Sequence, residues 1–290
     1  RQQIHFYAKD RRIDFETYVD WKFAEHVLKV HFPVDVHSDE ATYDIQFGNV
    51  TRKLHTNTSW DQARFEVCGH KWADLSEGGY GVSLMNDCKY GYSMKDRVIT
   101  QTLIKSGTEP NLTADQEEHF FTYSLYPHAG TWREAGTVQE ALNLNVPAKA
   151  VSSAAEKDRM EFLSVDKRNV VLETVKKAED GDGIIVRLYE VENARTKVTL
   201  YCADAILSAE ETNLLEQPAE SAIDVKENEI SLTIKPYEIR TIPHSHDKIR
   251  NQNRKCFRER RTNAFPEKRK HKKRHRIRNK RRRCLFKKQN

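Results

Sequence analysis

The residues most suited to chemistry in this chain lie close together. His70, Trp72, Asp74 and Glu77 are followed by Gly78 and Gly79, and then by Asn86, Asp87 and Lys89. An indole face beside carboxylates and amides suits a hydroxyl-rich ligand such as a sugar. The ring covers apolar C–H groups, and the polar groups take the hydroxyl hydrogen bonds. The same residues also fit a plain hairpin: Trp72 as core, Asp74 and Glu77 as turn or cap groups, and Asp87 with Lys89 as an ion pair. Two glycines in a row suggest a backbone with positive φ or a close approach. His37, Asp39 and Glu40 form a second loose polar group. Zinc wants three or four convergent ligands, and this spacing does not promise them.

These residues need strands to hold them. Phe65 and Val67 alternate with Glu66 and Cys68, and Tyr80, Val82 and Leu84 alternate with Gly81 and Ser83, so a strand is expected on each side of a polar middle. Upstream, Ile13 to Trp21, Leu28 to Val34 and Thr42 to Phe47 carry strand spacing with one wet face, which means antiparallel sheet. Residues 48–63 read as a loop. Val98 to Ile104 and His119 to Tyr126 are further strands. The period then changes: Thr131 with Glu134 is a capping box, and Val138, Ala141 and Leu142 give one apolar helical face that ends near Pro147. Residues 148–159 read as a linker. A second β unit follows, with strands near 160–163, 170–175, 183–191, 197–202, 230–234 and 237–242. Asp180-Gly-Asp-Gly183 marks a hairpin turn, and Ser208 with Glu211 suggests one capped turn.

Composition sets the outer limits. The net charge of +6 over 290 residues hides two parts. Residues 247–290 hold 21 Lys/Arg against 3 acids, which leaves a body with 28 basic and 40 acidic residues and a charge of −12. The basic stretch has almost no apolar periodicity and is expected to be disordered. It could hold nucleic acid through phosphate contacts, but it lacks zinc-finger spacing and interleaved stacking aromatics, so a nucleic-acid partner is not expected. No run of about 18 apolar residues occurs, so no membrane span is expected. Five cysteines without a CxxC fit a reducing compartment. The Asn-x-Ser/Thr triplets at Asn49, Asn57 and Asn111 are read as chance. The chain begins at Arg1, within a strand-like pattern, and so looks like a piece of something longer.

Several stretches resemble one family. The run His70-Lys-Trp-Ala-Asp-Leu-Ser-Glu-Gly-Gly-Tyr-Gly-Val-Ser-Leu, then Asn86-Asp-Cys-Lys-Tyr-Gly-Tyr, closely resembles the C-terminal region of glycoside hydrolase family 38 α-mannosidases of the cytosolic and bacterial branch. Arg12-Ile-Asp-Phe-Glu-Thr, Phe32-Pro-Val-Asp-Val-His-Ser-Asp-Glu-Ala-Thr-Tyr, Phe121-Thr-Tyr-Ser-Leu-Tyr-Pro-His-Ala-Gly and Lys235-Pro-Tyr-Glu-Ile-Arg-Thr are similar to the same family. The resemblance covers roughly residues 1–242.

It implies a cytoplasmic, zinc-dependent, retaining α-mannosidase whose zinc ligands and catalytic carboxylates sit in an N-terminal barrel outside this chain. The expected partners are that catalytic domain and mannose-containing oligosaccharide. His70, Trp72, Asp74, Glu77 and Asp87 become the candidate substrate-binding residues, which either touch the sugar or brace its pocket. The expected fold is all-β: an antiparallel super-sandwich with a short helix (1–147), a smaller β-sandwich (148–243) and a disordered polybasic tail (244–290). Alone, the chain is expected to be inactive. The competing readings are a free-standing carbohydrate-binding or interface sandwich, and nucleic-acid binding through the tail.

Overall fold

The computed structural model describes residues 1–150, 152, 160–181, 183–219 and 223–246. The polybasic stretch from 247 onward and most of the linker read at 148–159 lie outside the described residues. The first part of the chain runs β1 (Gln2–Phe6), β2 (Ile13–Asp20), β3 (His26–Pro33), β4 (Glu40–Ile45), β5 (Gly48–Lys53), the one-turn α1 (Ser59–Ala63), β6 (Val67–Cys68), β7 (Trp72–Ser76), β8 (Tyr80–Asn86), β9 (Gly91–Lys95), β10 (Val98–Ser106), β11 (Glu118–Ala129), α2 (Trp132–Ala135) and α3 (Thr137–Asn145). All pairings between these strands are antiparallel. A seven-stranded sheet in the order β1-β2-β11-β8-β7-β4-β5 faces a four-stranded sheet in the order β3-β10-β9-β6. Between them lies a core that includes Tyr43, Leu75, Leu84, Tyr92, Ile99 and Phe121. Residues that alternate inward on each strand fill it, as the one-sided patterns require.

The other face of the large sheet is covered in its middle by α2 and α3. Thr131 caps α2 in a reciprocal box with Glu134. Gly136, at φ 73°, then ends α2 and starts α3, so the single expected helix is two helices joined at a left-handed residue. β11 carries Pro127 in its interior. It can do so because the pairing with β2 has already ended at Leu125↔Ile13, so the absent N–H leaves no ladder bond unmade on that side.

The second part runs β12 (Leu163–Val165), β13 (Val170–Lys177), β14 (Ile184–Glu190), β15 (Thr196–Cys202), β16 (Ile206–Ala209), β17 (Asp224–Lys226), β18 (Glu229–Ile234) and β19 (Ile239–His246). Two four-stranded sheets, β12-β15-β18-β17 and β13-β14-β19-β16, close over a core that includes Val186, Leu188, Val198, Ile230, Ile234 and Ile242. A third core joins the two sandwiches. Trp72, Met85, Tyr126, Trp132, Val138 and Ala141 from the first pack with Val171, Tyr189 and Val191 from the second.

Four local expectations differ from the structure. The stretch 48–63, read as a loop, contains β5 and α1. Phe65–Cys68 does not pair with the Tyr80 strand; Val67–Cys68 joins β9 in the small sheet, and Phe65 is 77% exposed. Ser208 lies in β16, and the turn beyond it is organised by Asn213, whose side-chain Oδ1 accepts from the N–H groups of Leu215 and Gln217. Gly78 and Gly79 have neither positive φ nor a close neighbour. The glycine of this motif that needs to be one is Gly81, where a Cβ would fall 2.2 Å from Ser76 Oγ and 2.5 Å from His128 Cε1.

Candidate functional site

The β7–β8 hairpin places the five candidate residues. Its register pairs Trp72 with Met85, Asp74 with Ser83 and Ser76 with Gly81. Strand alternation therefore sends Trp72, Asp74 and Ser76 toward the helices, and Ala73 and Leu75 into the sandwich. Trp72 is 1% exposed, with its ring 5.0 Å from that of Trp132. Its indole N–H is buried without a hydrogen-bond partner among the described residues. Asp74 is 2% exposed and accepts from Ser76 Oγ at 2.5 Å, Ser83 Oγ at 2.7 Å and His128 Nε2 at 2.8 Å. Ser83 Oγ lies 2.9 Å from Thr137 Oγ1 at the start of α3, so the network ties hairpin, β11 and helix together. A buried carboxylate with three donors is already satisfied.

The other three candidates reach the surface, at opposite ends of the hairpin. At one end the His70 ring packs 4.9 Å from that of the exposed Tyr90. The His70 carbonyl accepts from Asn86 Nδ2 at 2.8 Å. Asp87 is exposed, and its carboxylate accepts from the Thr122 N–H at 2.9 Å. Lys89 lies over the Phe121 ring at 4.5 Å. At the other end Glu77 is exposed and accepts from the His37 N–H at 2.8 Å. The five residues of β7 lie between His70 and Glu77, about 16 Å of extended chain. The structure thus brings His70 and Asp87 to one end, puts Glu77 at the far end, and places Trp72 and Asp74 beneath the sheet surface. One monosaccharide cannot touch both ends.

The electrostatics of this region are structural as well. Burial pushes the Asp44 carboxyl above the usual range, although Lys71 opposes this through its N–H at 2.9 Å and its ammonium at 3.4 Å. Asp44 so fixes the corner at residues 70–71. Burial and the neighbouring Asp87 push the Cys88 thiol up to about 12, which keeps it protonated and a poor nucleophile. Sequence reasoning gave no role to Arg12 and Asp14, although their spacing of two puts them on one strand face. Arg12 Nε donates to Asp14 at 2.8 Å, and Tyr7 and Ser124 hydroxyls donate to the same carboxylate at 2.7 and 2.6 Å. Burial opposes ionisation of Asp14, but these donors and the Arg12 charge win and hold its carboxyl below the usual range.

Retaining glycoside hydrolysis needs two carboxylates about 5 Å apart across the scissile bond. Asp74 and Glu77 do not offer such a pair, since one is buried in a serine–histidine cluster and the other is exposed at a turn. Among the described residues no three His, Cys, Asp or Glu side chains gather closely enough to hold a metal ion.

Residues 1–113 match the glycosyl hydrolases family 38 C-terminal domain, and residues 169–242 match the glycosyl hydrolases family 38 C-terminal beta sandwich domain. Human alpha-mannosidase 2C1 is 41% identical over 233 residues, which is 78% of this chain and 22% of the relative. Alpha-mannosidase G of Dictyostelium discoideum is 41% identical over 249 residues, 82% of this chain and 22% of the relative. The chain thus spans under a quarter of the length of these curated relatives. A solved structure, an alpha-mannosidase from Enterococcus faecalis V583, superposes with a TM-score of 0.70 at 21% identity, covering 83% of this chain and 28% of that one.

Proposed function

Because this chain belongs to the C-terminal region of glycosyl hydrolase family 38, we propose that it is the non-catalytic β portion of an α-mannosidase acting on mannose-containing glycans. The observation that carries the reading is a pairing of two facts. Both matched domains are here, and the buried carboxylate of the motif, Asp74, is committed to the fold. The zinc ion, the retaining mechanism and the catalytic carboxylates then belong to a part of the protein outside this chain. The working location is the cytoplasm, in keeping with free thiols at Cys68, Cys88 and Cys202. No helix among the described residues is long and apolar enough to cross a membrane.

Within this reading the five candidates divide their work. His70 and Asp87, with Tyr90 beside them, form the end of the hairpin that meets the catalytic part or the sugar it holds. Trp72 and Asp74 set the position of that end from below. Glu77 acts separately, fixing the segment at His37. The exposed ring of Tyr90 also keeps the free-standing glycan-binding reading alive, because an aromatic face beside a carboxylate is what such sites use.

The test is hydrolysis of an aryl α-mannoside by the purified chain with added Zn²⁺. No turnover above buffer is expected, and measurable turnover would overthrow the assignment of catalysis to another part. Titration of the same chain with a mannose-rich oligosaccharide separates the second reading: binding lost in Tyr90→Ala would favour a free-standing module.

A further inference from the structure

A cleft away from the hairpin ends has a chemistry that the mannosidase reading does not use. It encloses about 360 Å³ between β5, the α1 segment and β9. Arg52, Lys53, His55, Arg64 and Lys95 line it, with Asp61 as the one acid among its lining residues. That acid is occupied: it caps Thr58 and pairs with Arg64, and His55 Nδ1 lies 3.3 Å away. Lys53 is held by Glu40 at 2.7 Å. Arg52 is different. Its guanidinium lies 4.7 Å over the Tyr43 ring, and its Nη1 is buried with no hydrogen-bond partner among the described residues. Arg52 and Lys95 are thus the cations of the lining that no acid holds among the described residues, and both are there for an anion that enters the cleft. The Tyr43 ring holds the Arg52 guanidinium by a cation–π contact, and a guanidinium fork suits a phosphate or carboxylate.

The surroundings favour the same ligand. The body of the chain carries −12, so a cluster of cations around one cleft runs against the overall charge. Lys95 is exposed on β9 and reaches the cleft from the second sheet. The exposed Phe65 ring at the mouth offers an apolar face to the organic part of an ester.

We propose that this cleft is a binding site for a tetrahedral oxyanion, a phosphate group free or as a monoester, with Arg52 as its fork and Lys95 as its second cation. The site is independent of the mannosidase reading and stands if that reading fails.

The experiment follows the backbone amide resonances of Ser93 to Lys95 in the full chain at fixed ionic strength. The probes are inorganic phosphate, mannose 6-phosphate and mannose. Ser93, Met94 and Lys95 line the cleft, so their amides read its occupancy. Saturable shifts with either phosphate probe are expected, and none with mannose. Equal affinities assign the free anion, and tighter binding of the ester assigns a phosphorylated organic ligand. Arg52→Gln should weaken binding by about tenfold or more, and Lys95→Gln by about threefold. Lys197→Gln, at an exposed position of β15, should change nothing. Lys95 is exposed, so its variant keeps the test valid if Arg52→Gln fails to fold. Shifts produced by mannose alone, no shift with either phosphate probe, or full binding in Lys95→Gln would overturn the proposal.

Discussion

Trp72 shows how one residue type can serve two chemistries, and how burial decides between them. A ring that stacks on sugar must keep a face in solvent, and this one has both faces against side chains of the third core. Its N–H is buried without a partner among the described residues, so the indole is there for volume rather than for its donor. Trp72→Phe should therefore cost only about 1 kcal/mol, because it removes an unpaired donor along with some packing. Trp72→Ala should cost about 4 kcal/mol. Chemical denaturation of the two variants checks this, and an Ala variant as stable as the parent would mean that the ring is not in the core. Asp74 follows the same logic with hydrogen bonds in place of area. The sequence alone left both residues open between sugar contact and support, since neither burial nor the position of His128, 54 residues away, can be read from local spacing.

At the scale of elements, alternation was readable where a strand had one wetter face, as in β2 and β3. It failed at β7, where helices cover one face and the second sheet the other, so polar and apolar residues are both buried and the period-2 contrast disappears. It failed again at β5, whose only large aliphatic residue is Val50, and at the short strands β16 and β17. The capping box at Thr131 was legible because its signal is wholly local. The break at Gly136 was not, because a glycine inside a helical pattern is often tolerated.

The Arg12–Asp14 cluster binds β2 to β11 through Ser124, and to α3 through the Arg12 contact with the Glu140 carbonyl at 3.3 Å. Asp14 has a lowered folded-state pKa, so its contribution is complete above the ordinary aspartate value of 3.8 and is lost as pH falls through the lower folded value. In Arg12→Met, burial dominates and raises that pKa. The variant should lose about 2 kcal/mol at pH 7, and the deficit should shrink below about pH 4. A deficit that grows on acidification would contradict the assignment.

Across the whole molecule, the two sandwiches behave as one body because side chains cross between them. Asn49 Nδ2 donates to the Val191 carbonyl at 2.7 Å, and its Oδ1 accepts from the Tyr237 hydroxyl at 3.0 Å. The Phe47 and Tyr189 rings meet edge-on at 5.4 Å, and Gln139 Nε2 donates to the Arg168 carbonyl at 2.6 Å. Asn49 heads an Asn-x-Thr triplet, and an amide engaged on both atoms leaves no room for a glycan there. Asn49→Ala strands a carbonyl and a hydroxyl and should cost about 2 kcal/mol while thermal unfolding stays a single transition. Two separate transitions in the parent chain would show that the sandwiches are independent.

The central claim is that this chain completes an α-mannosidase without performing its chemistry. Co-expression with Dictyostelium alpha-mannosidase G truncated to remove its own matching 249 residues tests it most directly. The account predicts that neither piece hydrolyses an aryl α-mannoside alone, that the pair together does, and that the regained activity requires zinc. Activity in the truncated partner alone, or no activity and no association when both are folded, would contradict it.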